Sequence, residues 1–130
     1  MRRITIPTGK NKQVLDITET LNQLIREQGF TGGLCHIFVT HTTAALTTAD
    51  LDPGTDLDML DAFTTMVPDL DYHHPHNPAH TPDHILATML GPSVTVPVEN
   101  SQLILGTWQR VVLFEFDGPR PRQVIVSLLE

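Results

Sequence analysis

Histidines and carboxylates are concentrated in the middle of the chain. All seven histidines lie between Arg26 and Arg110, in a segment that has no lysine or arginine but ten aspartates and glutamates. Imidazoles and carboxylates are the side chains that bind divalent metals such as zinc. This segment therefore indicates a metal site, although a solvated acidic helix beside a polar loop would have the same composition.

Alternation along a predicted strand separates the first two histidines. On a strand over residues 34–41, His36 shares a face with Phe38, whereas His41 shares the opposite face with Ile37. The two are therefore not expected to bind one ion. His41 stands at the strand end, where a side chain can project into a cleft, while His36 is expected to be packed or to lie at a sheet edge.

The other histidines follow in a segment rich in proline. His76, His80 and His84 recur at every fourth residue, but Pro78 and Pro82 interrupt any continuous helix through them. His84 is the best placed of the three, since it falls in the first turn of a predicted helix. The adjacent pair at residues 73 and 74 is expected to diverge and not to form a joint site.

A catalytic zinc site needs about three protein ligands, an open position, and further groups that orient the imidazoles. We predict that His41, His76 and His84 are the ligands. Asp52 or Glu115 would then orient them.

The elements that must position these residues follow from periodicity and from Gly and Pro punctuation. Strands are predicted at 3–7, 13–17, 34–41, 44–48, 93–98, 102–105, 108–117 and 123–129. One helix is predicted to begin at an N-cap Thr18 and to stop at Gly29. A second is predicted at 55–67, with Thr55 as its N-cap and a buried stripe of Leu57, Leu60, Phe63 and Val67. A third is predicted to run from Pro82 to the stop at 91–92. The pattern predicts an α+β fold with a mostly antiparallel sheet or sandwich.

Composition excludes several classes of protein. A chain of 130 residues is expected to form one domain over residues 1–130. Its net charge of −7 argues against a nucleic-acid partner, and no apolar run approaches the roughly 20 residues of a membrane span. The N-terminus lacks the apolar segment of a secretory signal. The single cysteine, Cys35, permits no intramolecular disulfide, so a reducing, cytoplasmic location is expected.

Motifs in a fixed order resemble the YjbQ family, also called the secondary thiamine-phosphate synthase family. They are HTTAA at 41–45 followed by DP at 52–53, HN at 76–77 followed by HI at 84–85, LGPSVTVPV at 90–98, GTWQ at 106–109 and EFDGPR at 115–120. The resemblance covers residues 1–130. The sequence departs from the family pattern in two segments. One is 49–51, which contains Asp50, and the other is 78–80, which contains His80.

The resemblance implies a two-sheet β-sandwich with two to three helices, assembled as a homotrimer with clefts near the subunit interfaces. It implies that His41, His76 and His84 form a metal or anion site. The implied activity is the formation of thiamine phosphate from a pyrimidine diphosphate and a thiazole phosphate. The expected metal is divalent, namely zinc, or magnesium carried by the diphosphate substrate, and the expected partner is a small phosphorylated molecule.

For this reaction, positive or hydrogen-bonding groups must stabilise the departing pyrophosphate. The candidate catalytic residues are Thr42, Thr43, Asp52, Gln109 and Glu115. The candidate substrate-binding residues are Asn77, Gly106, Thr107, Trp108, Arg110, Arg120 and Arg122.

Three of these candidates have structural alternatives. Trp108 either stacks on a pyrimidine or anchors the core. Gln109 either orients substrate or satisfies a buried backbone group. Glu115, inside an apolar run, is either a base or metal-orienting group, or the partner of an arginine at 120 or 122.

Two further functions agree with the same residues. A metal-dependent hydrolase of a small phosphorylated metabolite would use the histidines to activate water. A trimer that binds a metal or metabolite without catalysis would need only the binding site.

Overall fold

The computed structural model describes residues 1–130. Its strands are β1 (Arg2–Pro7), β2 (Gln13–Asp16), β3 (Gly32–Val39), β4 (Ala44–Ala49), β5 (Ser93–Glu99), β6 (Gln102–Leu103), β7 (Arg110–Glu115) and β8 (Pro121–Leu129). Its α-helices are α1 (Thr18–Glu27), α2 (Thr55–Met66) and α3 (Thr81–Leu90), and a 3₁₀ turn at Pro78–His80 leads into α3.

The strands form two antiparallel sheets. The larger sheet has the order β1-β8-β3-β5-β6 and the smaller has the order β2-β7-β4. Strand β4 does not continue β3 after a bend, because the two strands belong to different sheets. The intervening residues 40–43 therefore cross from one sheet to the other, and this crossing contains His41.

The main core lies between the two sheets. Alternate residues of each strand point into it, such as Cys35, Ile37 and Val39 of β3, all at most 1% exposed. Leu34 and Phe38, on the other face of β3, are 44% and 38% exposed. The face assignment made from alternation is confirmed. Helix α1 closes one end of this core with Leu21, Leu24 and Ile25.

A second, smaller core covers the outer face of the smaller sheet. Val112, Phe114 and Phe116 face α2 and α3, while Val111 and Leu113 face the main core. Strand β7 is thus buried on both faces, which explains its continuous apolar run. The three helices and two antiparallel sheets confirm the predicted α+β fold with a two-sheet β-sandwich.

Helix α2 is less buried than its sequence predicts. No residue of α2 is fully buried, and Leu57 is 59% exposed. The helix contacts the small core through Met59, Leu60 and Phe63, with Val67 following its end. The contact face of α2 therefore includes Met59 instead of Leu57. The reason is that the helix packs only on the outer face of the smaller sheet, which leaves Leu57 exposed to solvent.

The predicted N-cap residues lie inside their helices. Ile17 occupies the N-cap position of α1, and the Thr18 hydroxyl accepts a hydrogen bond from Val111 N–H at 2.9 Å. Gly54, at φ 92°, occupies the N-cap position of α2. Gly29, at φ 64°, follows α1 as predicted, since this left-handed conformation favours glycine. None of the helices has both the length and the apolar character needed to cross a membrane.

Candidate functional site

The largest cavity lies where the sheet crossing at residues 40–43 meets the start of β8 and helix α3. Its volume is about 610 Å³. Polar and charged side chains dominate its wall, which is lined by Thr40, His41, Thr42, Thr43, His74, His84, Asp117, Arg120, Pro121 and Arg122. Three imidazoles and two guanidinium groups therefore share one cavity with a single carboxylate.

His41 is held by a hydrogen bond from strand β8. Its Nε2 accepts a hydrogen bond from Gln123 N–H at 2.9 Å. In the neutral ring the proton must then be on Nδ1, which becomes a hydrogen-bond donor. Burial lowers the pKa of His41, and the positive charge of Arg122 lowers it further. His41 is therefore a neutral imidazole that can donate from Nδ1.

His74, which is not among the residues predicted from the sequence, lines the cavity. Its Nδ1 accepts from the backbone N–H groups of His76 and Asn77, each at 3.3 Å, so Nε2 carries the proton of the neutral ring. The ring centroid of His74 lies 5.0 Å from that of His84 on α3. Of the two adjacent histidines, His74 lines the cavity whereas the exposed His73 does not, so they do not form a joint site.

His76 does not line the cavity. Its side chain is exposed, and its ring centroid lies 6.1 Å from that of His74. The structure thus brings His41 and His84 together with His74, and leaves His76 outside. The segment has no periodicity, so no signal in the sequence distinguishes between these two loop histidines.

The predicted zinc ligands do not fit a metal in this arrangement. Nε2 of His41 is already an acceptor, so a metal could take only Nδ1, and the ring would have to lose its last proton. His74 has the same restriction, because its Nδ1 is occupied by two backbone donors. Because His76 lies outside the cavity, His84 is the only predicted ligand in the cavity that could offer either ring nitrogen to a metal. Two of the cavity imidazoles are arranged as donors, which suits an anion.

Arg122 and Glu115 form a buried ion pair at the back of the cavity. Arg122 is 1% exposed and Glu115 0%. Arg122 Nε donates to Glu115 Oε1 at 2.9 Å, and Nη2 contacts Oε2. Burial raises the pKa of Glu115, but the bonds from Arg122 and Thr8 outweigh it, and the pKa is lowered overall. Glu115 is therefore an ionised partner of Arg122, the second of the alternatives left open by the sequence.

Thr8 connects both cavity arginines without lining the cavity. Its hydroxyl lies 2.6 Å from Glu115 Oε1 and accepts from Arg120 N–H at 2.9 Å. A hydroxyl has one proton, and the short distance to the charged acceptor indicates that Thr8 donates this proton in a hydrogen bond to Glu115 Oε1. Thr8 N–H also donates to Arg120 O at 3.0 Å. Thr43 completes the network by accepting from Arg122 Nη2 at 2.8 Å through its hydroxyl.

A separate cluster beside the cavity has the residue types of a metal site. Potential ligand atoms of His80, Asp83 and Asp117 lie within 4.8 Å of one another. Lys12 Nζ already lies 2.7 Å from Asp83 Oδ1, and Arg120 Nη2 lies 2.8 Å from Asp117 Oδ2. Both carboxylates are thus neutralised by a cation of the chain, so the cluster is a charge-balanced network that fastens α3 to the end of β7.

The other half of the predicted site lies in a second hollow of about 200 Å³. It contains Asp52, Thr107, Trp108 and Arg110, and none of these lines the cavity with the histidines. Trp108 is 68% exposed, so it is not a core anchor. Arg110 Nε is engaged by Asp16 at 2.7 Å. Within one chain, the predicted site residues are therefore divided between the histidine cavity and the hollow around Trp108.

Three further candidates stabilise turns. Gln109 accepts from Gly106 N–H at 3.1 Å and donates to Thr48 Oγ1 at 3.0 Å, and it lines the same surface as Gly106. Asn77 accepts from Ala79 N–H at 3.1 Å and caps the turn before α3. These amides are engaged within the chain, so they shape the loops beside the two hollows.

The chain matches the family model described as UPF0047 protein YjbQ-like over residues 2–130. It is 39% identical over 127 residues to a UPF0047 protein of Archaeoglobus fulgidus, covering 97% of this chain and 98% of that one. It is 37% identical over 133 residues to the UPF0047 protein YugU of Bacillus subtilis, covering 99% and 98%.

Solved structures agree with this match. A conserved YjbQ/UPF0047 family protein from Clostridium acetobutylicum superposes with a TM-score of 0.90 at 34% identity, covering 99% of this chain and 100% of that one. A hypothetical protein from Aeropyrum pernix gives a TM-score of 0.90 at 32% identity, covering 98% and 96%. The chain therefore belongs to the YjbQ-like UPF0047 family.

Proposed function

We propose that the protein is a transferase of the thiamine-phosphate synthase type, which joins a pyrimidine diphosphate to a thiazole phosphate and releases pyrophosphate. One observation carries the proposal: the main cavity combines imidazole N–H donors at His41 and His74 with the exposed guanidinium group of Arg120, in front of the buried Arg122–Glu115 pair. Such a lining favours a multiply charged oxyanion over a neutral or cationic ligand.

The chemistry needs charge stabilisation more than acid–base catalysis. The thiazole nitrogen forms a bond to the methylene carbon of the pyrimidine while the bond from that carbon to the diphosphate oxygen breaks. The electron pair of the broken bond goes to the leaving pyrophosphate. Donors fixed in advance around that oxygen lower the barrier, because they need no reorganisation during the reaction. Arg120, His41 and the Thr42 hydroxyl are the groups that we assign to this role.

A divalent metal enters the proposal only as a companion of the diphosphate substrate, where magnesium is the appropriate ion. No step is assigned to a zinc ion held by His41, His76 and His84, since that set does not fit the hydrogen bonding described above. Assays with magnesium, with zinc and with a chelator separate these cases.

We further propose that a homotrimer brings the hollow around Trp108 of one subunit toward the histidine cavity of another. Two observations support this: the predicted site residues are divided in one chain, and the outer face of the larger sheet exposes Leu34, Phe38 and Leu129. Analytical ultracentrifugation should give three times the mass of 14.4 kDa. A monomer at micromolar concentration would contradict the trimer.

The activity is tested by incubating the purified protein with both substrates and measuring thiamine phosphate and pyrophosphate in equal amounts. Arg120→Ala should reduce the rate at least tenfold, on the scale of losing one charge-stabilising donor. Arg26→Ala is the matched control, since Arg26 is exposed on α1 outside the cavity, and it should leave the rate unchanged. Absence of product at high protein concentration would overturn the proposal.

The same assay distinguishes the two other functions. Phosphate released from a single substrate, and abolished by a chelator, would indicate a metal-dependent hydrolase. Tight binding of the diphosphate without turnover of any substrate would indicate a binding protein.

A further inference from the structure

A second cavity, distinct from the hollow around Trp108, adjoins the histidine cavity on the side of helix α3. Its volume is about 390 Å³. Three residues, His41, Thr42 and His84, line both cavities. The rest of its wall consists of Ala44, Ala87, Thr88 and Pro92. No carboxylate, lysine or arginine lines it, in contrast to the first cavity.

Small side chains on fixed backbone create this space. Ala44 begins β4 and is 1% exposed, and Ala87, in the helical turn after His84, is 6% exposed. Pro92 is anchored because its carbonyl accepts Val39 N–H at 2.8 Å, and the preceding residue, Gly91, accepts Leu46 N–H at 3.1 Å. Ala44 also belongs to the main core and Ala87 to the small core, so this part of the wall is held in place by packing.

We propose that the second cavity binds the uncharged ring of the phosphorylated substrate whose anionic group occupies the first. This inference rests on the proposed function, and it adds the location and chemical nature of the second half of the ligand. His41 and His84 stand at the boundary, where the phosphate ester joins the ring.

The contrast between the two walls selects this ligand. The first cavity is lined by charged and hydrogen-bonding groups, which a ring would cover without bonding them. The second is bounded by Ala44, Ala87 and Pro92 and has no charged side chain, so apolar surface can be removed from water there. An aromatic or heteroaromatic phosphate ester satisfies both walls at once. Inorganic phosphate satisfies only the first, and a phosphorylated sugar would bury little apolar surface against Ala87 and Pro92.

Calorimetry with three probes tests the proposal: inorganic phosphate, benzyl phosphate and glucose 6-phosphate. The protein should bind benzyl phosphate about tenfold more tightly than phosphate, the scale of partial burial of one ring. Glucose 6-phosphate should show no such gain over phosphate. Thr88→Trp, which fills the second cavity from an exposed helix position, should abolish the gain for benzyl phosphate and leave phosphate affinity within twofold.

Met89→Trp is the matched control, because Met89 is the next residue of α3, is 63% exposed and lines neither cavity. It should retain the gain for benzyl phosphate. If phosphate binds but the ring adds nothing, or if both tryptophan variants behave alike, the ring subsite is wrong while the anion site of the proposed function stands. If neither phosphate nor benzyl phosphate binds the native protein, the proposed function and the subsite both fail.

Discussion

Arg122 on β8 and Glu115 at the end of β7 form an ion pair that joins the two sheets, with Arg122 Nε 2.9 Å from Glu115 Oε1. Both side chains are withdrawn from water, at 1% and 0% exposure. Each charge is stable in this position only because the other is present. The pair therefore fixes the back wall of the cavity and couples the site to the folding of the sandwich.

Glu115→Gln should destabilise the protein by about 3–5 kcal/mol, because it leaves the Arg122 charge buried without a counter-charge. Urea unfolding measures this loss. The double variant Glu115→Gln, Arg122→Met should lose less than the sum of the two single variants, since the second change removes the unpaired charge. Additive losses, or a single-variant loss below about 1 kcal/mol, would show that the pair is not a coupled unit.

His41 should titrate below the usual histidine range. Its folded pKa is lowered from 6.5 by burial and by Arg122, so the unfolded chain takes up a proton more readily than the folded one. The contribution of His41 to stability is therefore complete well above pH 6.5 and decreases as the pH falls through 6.5 toward the folded pKa. Nuclear magnetic resonance can follow the His41 ring and the Gln123 amide together. Both should report the same low pKa, and an independent Gln123 titration would contradict the hydrogen bond to Nε2.

Periodicity predicted the elements well, and the site only in part. The burial of Ile37 and the exposure of Phe38 follow from strand alternation, which is a local property. The contact face of α2 depends on what lies beneath the helix, so Leu57 is exposed although its spacing suits a buried stripe. The choice of His74 over His76 depends on backbone turns in a loop without periodicity, where no local rule applies.

The partner of Glu115 illustrates a second limit. An isolated carboxylate in an apolar run requires a partner, and the sequence offers arginines at both 120 and 122. Alternation on β8 turns Arg122 inward and leaves Arg120 at the turn, where its Nη2 pairs with Asp117 Oδ2 at 2.8 Å. The residue at which β8 begins therefore determines which arginine pairs with Glu115. Gly118 helps to set that starting residue, because it allows the preceding turn to pass close to the chain. A Cβ at Gly118 would collide with the backbone oxygen of Lys10.

Thr8→Val should weaken anion binding although Thr8 does not touch the cavity. The change keeps the shape of the side chain but removes the partner of Glu115 Oε1 and of Arg120 N–H. We expect a loss of about 1–3 kcal/mol in stability and a fall of several-fold in pyrophosphate affinity, measured well below the unfolding temperature. Thr8→Ser retains the hydroxyl and should restore most of the affinity. Equal behaviour of the valine and serine variants would show that the hydroxyl does not position the arginines.

Lys12→Met should loosen the start of α3. Lys12 Nζ lies 2.7 Å from Asp83 Oδ1 and 2.6 Å from Phe116 O, and Asp83 is 7% exposed. Loss of this partner should cost about 1–3 kcal/mol and should increase hydrogen exchange in the first turn of α3. Lys10→Met is the control, because the exposed Lys10 side chain makes no hydrogen bond or ion pair. A Lys12 variant as stable as the Lys10 variant would remove this role.

The cavity of His41, His74, His84, Arg120 and Arg122 is most directly tested by calorimetric titration of pyrophosphate into native protein, His74→Ala and His76→Ala. Native protein and His76→Ala should bind with the same affinity, because His76 lies outside the cavity. His74→Ala should bind at least tenfold more weakly, since it loses a charge-assisted donor. Unchanged affinity in His74→Ala, or an equal loss in both variants, would contradict the anion site.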